Sequence, residues 1–155
     1  MKELLKKMHT WMAAYMKSFY TDDAEVMRGI LVKENHTGYV TSNCVELAKN
    51  LNLNPHDVDL AEIIGLFHDV GRFYQYQTYK TFNDADSEDH ATLAFKVIDE
   101  LEFFKELSAA DYDLIHFAIK NHNKRTIEKT GDERKLLFAK ISLRSSSVGA
   151  INFLL

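Results

Sequence analysis

Apolar residues recur three or four positions apart through most of this 155-residue chain, while alternation of apolar and polar residues is scarce. That period predicts helices rather than strands. Leu4, Met8, Trp11, Tyr15 and Phe19 form one stripe, the ordinary face of a helix turned toward a core. A second helix is predicted over 37–50, with Val40, Cys44, Leu47, Ala48 and Leu51 on its buried side and His36 at its start. Asn54-Pro55 opens a third, because Asn caps a helix and Pro fits its first position. This one runs to about Asp69, with Gly71 as its stop. The segment 72–89 is polar and aromatic without a clear period and reads as a long loop holding at most a short turn. A fourth helix begins near Ser87 and carries His90, Ala94, Val97, Ile98 and Leu101, and a fifth begins near Ser108 and carries Ile115, Ala118, Ile119 and His122. Another apolar stretch begins at 136–141. The expected fold is an all-α bundle of about six helices, forming one domain over residues 1–155.

Composition narrows the function more than the fold. Apolar residues make up 46% and charged residues 27%, a globular balance that excludes a disordered chain and a membrane-embedded one. The net charge of −4 gives no general attraction to extended nucleic acid or to a membrane surface, so a nucleotide would have to be held locally. Cys44 is the only cysteine, so no disulfide forms within the chain and a reducing compartment is expected. Lys6, Lys7, His9 and Lys17 interrupt the apolar N-terminal region, which leaves neither a secretory nor a spanning segment and makes the cytoplasm the expected location.

The chemistry centres on His68-Asp69. The pair closes a strongly apolar run, Ile63-Ile64-Gly65-Leu66-Phe67, where polar groups without partners are costly. A divalent cation would satisfy both, since imidazole nitrogen and carboxylate oxygen are ligands for first-row metals. Neighbours on a helix point about 100° apart, so both reach one ion only if it lies off the helix end. His56-Asp57 has the same two letters in a polar helix start and reads as a solvated first turn. What distinguishes the later pair is its context, with His36, His90 and His122 on candidate core faces. His9 and His116 are assigned to structure or surface.

The order His36-Thr37, then GLFHDVGRF, then SEDHATLAF, then IKNHN resembles the HD superfamily of metal-dependent phosphohydrolases over most of the chain. The resemblance implies His36, His68 and Asp69 as primary metal ligands. It also implies His90 and His122 as ligands of a second ion, as in two-metal branches of the HD-GYP type, with Asp69 bridging. Asp69 would orient an attacking water. Arg72 is the second catalytic candidate, and Lys124 and Arg125 are further cations able to meet phosphate oxygens, although solvation is their commoner state. Tyr74, Tyr76 and Tyr79 suit stacking on a base, with packing on the body as the simpler role.

The family's later Asp, usually close after a stretch like Phe138-Ala139-Lys140-Ile141, is missing: no carboxylate follows Ile141. The change of character there fits a truncated or frame-altered terminus or a divergent member, and Asp132 and Glu133 are poorly placed as replacements. The expected activity is hydrolysis of a nucleotide or other small phosphate ester with one or two divalent transition metals, Fe, Mn, Co or Ni. The rival reading is a metal- or nucleotide-binding module without turnover. Oligomeric state is not written in the pattern, although the apolar run 151–155 offers a surface for association.

Overall fold

The computed structural model describes residues 1–152, with side chains as far as Ser146. The apolar run 151–155 therefore lies outside the residues whose side chains are described. Among the described residues there are seven α-helices and two short 3₁₀ turns, and no strand: α1 Lys2–Lys17, α2 Ala24–Asn50, α3 Pro55–Phe67, α4 Val70–Tyr79, α5 His90–Ile98, α6 Ala109–Asn121 and α7 Glu133–Asn152, with the turns at Asp84–Asp86 and Glu102–Glu106. No described helix is long and apolar enough to cross a membrane.

α3 is the central element. Leu60, Ala61, Ile63, Ile64, Gly65, Leu66 and Phe67 are all buried, so this helix is enclosed on several sides by α1, α2, α6 and α7. The predicted cap holds, with the Asn54 side chain accepting from the Asp57 amide and Pro55 opening the helix. Gly65 is needed for packing: a Cβ there would stand 2.7 Å from the Thr41 Cα on α2.

Several expectations are corrected. The second helix begins at Ala24, not near Thr37, which puts His36 in mid-helix. The Asp23 carboxylate caps it by accepting from the Glu25 and Val26 amides. Its first turns are buried through Val26 and Ile30, which pack with Phe19 and Phe73 in a small second core. Leu51, expected on the buried face, is half exposed beyond the helix end.

The segment expected as loop contains α4, and Gly71 lies inside it rather than stopping α3. Val70 and Phe73 face inward at helical spacing, but Gln75 is also fully buried, and a buried polar residue hides the apolar period. Its amide is satisfied, donating to Asp84 Oδ1 and Ser87 Oγ at 2.8 Å and to the Glu88 carbonyl at 2.9 Å. Lys80, in the left-handed region at φ 56°, ends the helix.

Gly71 serves the approach of α5. A Cβ on it would come within 2.5 Å of the His90 carbonyl and 2.6 Å of the Ala94 amide nitrogen. Both are backbone atoms that cannot rotate away. Gly71→Ala should therefore push α5 outward and destabilise the fold by about 1–3 kcal/mol. Urea denaturation measures this, and an unchanged midpoint would show that the α4–α5 contact is looser than described.

Candidate metal centre

α3 ends at Phe67, His68 follows as its cap in helical conformation, and Asp69 breaks the path at φ −111°, ψ 16° before α4 begins. The break lets adjacent residues converge, as the off-axis arrangement required. Asp69 is 3% exposed and His68 and His90 are fully buried. His36 comes from the middle of α2, His90 from the first position of α5 and His122 from the cap of α6.

The carboxylate of Asp69 divides these histidines into two pairs. Its Oδ2 lies 3.6 Å from His36 Nε2 and 3.5 Å from His68 Nε2. Its Oδ1 lies 3.4 Å from His122 Nε2 and 3.7 Å from His90 Nε2. Each set offers three ligand atoms close enough to share an ion, His36–His68–Asp69 on one side and Asp69–His90–His122 on the other. All five residues expected as ligands meet at this one place.

Hydrogen bonds to the opposite ring nitrogens orient three of the four imidazoles. His68 Nδ1 donates to the Gly65 carbonyl at 2.7 Å and His122 Nδ1 to the Ile119 carbonyl at 2.6 Å. His90 Nδ1 donates to Asp84 Oδ2 at 2.7 Å. These bonds place the protons on Nδ1 and leave the Nε2 lone pairs pointing inward, the arrangement that metal-ligating histidines adopt. His68 Nε2 is buried with no hydrogen-bond partner. His90 and His122 Nε2 face each other at 3.0 Å, so with both Nδ1 atoms protonated two lone pairs confront one another unless a proton or a metal cation lies between or beside them. Two ligands about 2.0–2.1 Å from one ion and at a right angle would stand about 3 Å apart. The donor set fits a divalent transition ion.

Electrostatics agree. Burial pushes His68 down to about 3 and His90 to about 4, and Asp69 opposes the shift in each case without cancelling it. Burial also lowers His36, again against Asp69. For Asp69 burial works toward protonation, but His68, Lys33 and His122 outweigh it and hold the carboxyl well below the usual range. His36, His68 and His90 are therefore neutral imidazoles beside an ionised carboxylate.

Two residues missed by sequence reasoning complete it. Lys33, one turn before His36 on α2, donates to Asp69 Oδ2 at 2.9 Å; the i, i+3 spacing to His36 was the available signal once the helix is known to extend that far back. Asp84, in the acidic stretch before α5, holds both His90 and Arg72. Arg72 is only 13% exposed at its side chain, so it is not the solvated cation that its type commonly is. Its Nη1 donates to Gln75, the Phe82 carbonyl and Asp84 at 2.6–2.8 Å, and its Nε lies 3.7 Å from Asp69 Oδ1.

The remaining candidates lie elsewhere. Lys124 pairs with Glu128 and Arg125 is exposed. Tyr76 stacks on Phe82 at 4.3 Å, while Tyr74 and Tyr79 are exposed. His56-Asp57 is less solvated than expected, because His56 meets Asp111 at 3.1 Å and Asp57 holds Arg134. His9 pairs with Glu62 at the surface and His116 stacks on Phe95. Asp132 caps α7 by accepting from the Arg134 and Lys135 amides. A groove of about 1050 Å³ is lined by α1, α2 and α3, and none of the five clustered residues lines it.

A family model described as HD domain matches residues 34–146, well over half of the chain. Searches of curated proteins and of solved structures found no match.

The neutral histidines make the metal-free protein acid-sensitive. In the unfolded chain His68 and His90 take up protons near 6.5, but in the fold only near 3 and 4. Stability is unaffected above the unfolded value and falls as pH drops below it, because the unfolded state then binds more protons. The urea midpoint of chelator-treated protein should decline from pH 6.5 toward pH 4. A flat midpoint across that window would contradict the neutral assignment.

Proposed function

The chain belongs to the HD domain family, and from that membership we propose that it is a metal-dependent phosphohydrolase acting on a nucleotide or another small phosphate ester. The observation that carries this reading is the division of the Asp69 carboxylate, with Oδ2 facing His36 and His68 and Oδ1 facing His90 and His122. A single carboxylate serving two histidine pairs suits two ions held side by side, and Mn, Fe, Co and Ni all accept such ligands. When bound, such ions supply Lewis acidity and bring the pKa of a coordinated water near neutrality.

The chain's own residues have distinct tasks. Asp69 bridges the two halves and orients a water between them. His68 and His122 are fixed by helix-end carbonyls, and His90 is fixed by Asp84, so three ligands keep their directions without a ligand present. Arg72 acts as a positioning residue that ties Asp84 to the Asp69 side of the centre. Access for a phosphate is from the α2 rim, where the side chains of Lys33 and His36 are 17% and 14% exposed against 0–4% for the other ligands. The cytoplasmic setting rests on the single free Cys44 and on a net charge that favours neither membrane nor extended nucleic acid.

One observation favours the second reading, a binding module without turnover: the stretch 142–155, where the family's later Asp is expected, holds no Asp or Glu. Manganese-loaded protein tested on p-nitrophenyl phosphate and bis(p-nitrophenyl) phosphate separates the two. Hydrolysis that is lost together with bound metal in His68→Ala supports the hydrolase, and stoichiometric metal without turnover supports the module. Asp84→Asn should weaken metal binding about 10–100-fold, the usual effect of removing a carboxylate behind a ligating histidine. An equilibrium dialysis curve identical to wild type would remove Asp84 from the centre.

A further inference from the structure

The two halves of the centre are not equally prepared for an ion. On the inner side, His90 and His122 are both oriented through their Nδ1 atoms, one by the Asp84 carboxylate and one by a helix-end carbonyl. The nearby Arg72 guanidinium is already neutralised there by Asp84 at 2.8 Å and bound by Gln75 and the Phe82 carbonyl. On the outer side, the oxygen that His36 and His68 share is in use. Lys33 donates to Asp69 Oδ2 at 2.9 Å, and its ammonium lies 5.1 Å from the centre of the Phe82 ring. Asp69 is the one carboxylate paired with Lys33 among the described residues. An ammonium on that oxygen provides the positive charge that the outer triad would otherwise take from a metal.

We propose that Lys33 is a built-in cation of the outer half, so that the protein loads its first ion on Asp69–His90–His122 and binds a second, on His36–His68–Asp69, only by displacing Lys33. This rests on reading the cluster as a two-ion centre. Repulsion between an ammonium and a divalent ion a few ångströms apart is strong in a partly buried site. Displacement is open to Lys33 because its flexible stem starts on the α2 rim and its side chain is 17% exposed. The inner half has no comparable plug: Arg72 is held by Asp84, Gln75 and the Phe82 carbonyl. The depth of the two halves points the same way, since His90 and His122 are 0% and 4% exposed at their side chains and His36 is 14% exposed.

The test is titration of the metal-free 155-residue chain with Co²⁺, followed by calorimetry and by visible absorption of the bound ion. Wild type is expected to show a tight first equivalent and a weaker second. Lys33→Met should tighten the second step about tenfold or more and leave the first in place, since a competing charge at close range is gone. Lys33→Arg should keep the wild-type gap. His36→Ala should abolish the second step alone, and His90→Ala should abolish the tight one; these two variants test the order without altering Lys33. Loss of the tight step in His36→Ala, or two unchanged steps in a folded Lys33→Met, would overturn the proposal while leaving the metal centre standing. Wild type that takes up no Co²⁺ would overturn both.

Discussion

A carboxylate enclosed by a helical core is tolerated only when its charge is compensated, and Asp69 is 3% exposed at the junction of α3 and α4. Removing water from such a group is costly, and uncompensated buried charge is among the strongest destabilising features a fold can carry. Here the compensation comes from Lys33 at one oxygen and from Arg72 near the other, while four imidazoles surround both. Much of the architecture follows from bringing these groups together. The chain must turn between His68 and Asp69, α2 must pass close enough to α3 to deliver Lys33 and His36, and α5 must close onto α4 to deliver His90. Gly65 and Gly71 mark the two close approaches, where a Cβ would meet the backbone of α2 and of α5 at 2.7 and 2.5 Å.

The imidazoles play a different part from the cations and do not offset the charge. They contribute directed ring nitrogens, and three of them are held in that direction by hydrogen bonds on the far side of the ring. Such a set is unfavourable on its own account, as the unpartnered His68 Nε2 and the facing nitrogens of His90 and His122 indicate. A protein keeps unsatisfied polar atoms in its core where they serve function. The strain is local, because the surrounding helices are packed by ordinary apolar contacts through Leu60, Ile63, Ile64, Phe67, Ile115, Ile119 and Phe138.

Much of this was legible in the sequence. Period 3.6 identified the all-α class, the Asn54-Pro55 start was correct, and the contrast between an apolar run before His68-Asp69 and a polar start before His56-Asp57 separated the buried pair from the surface one. His36, His90 and His122 were selected because their neighbours were apolar at helical spacing, and the structure brings all three to Asp69. The failures have physical causes. The extra turns of α2 before Thr37 bury Val26 and Ile30 against Phe19 and Phe73, a contact between distant segments that no local window contains. α4 was hidden because its inward face includes Gln75, a polar residue satisfied by groups nine to thirteen positions away. Asp84 was hidden for the same reason, since its importance lies in partners on α4 and α5.

The helical state of α4 changes where specificity can reside. A free loop over 72–89 would be the natural place for substrate contacts, but Val70–Tyr79 is a packed helix and the turn after it is pinned by Gln75 and Arg72. Those residues are committed to holding His90 and Asp69 in place and cannot vary freely with substrate. The surface left to read a ligand is the rim at the exposed edge of the centre, where Lys33 lies over Phe82 and Phe82 stacks on Tyr76. That edge sets the Lys33 ammonium and the Phe82 ring beside the outer half of the centre.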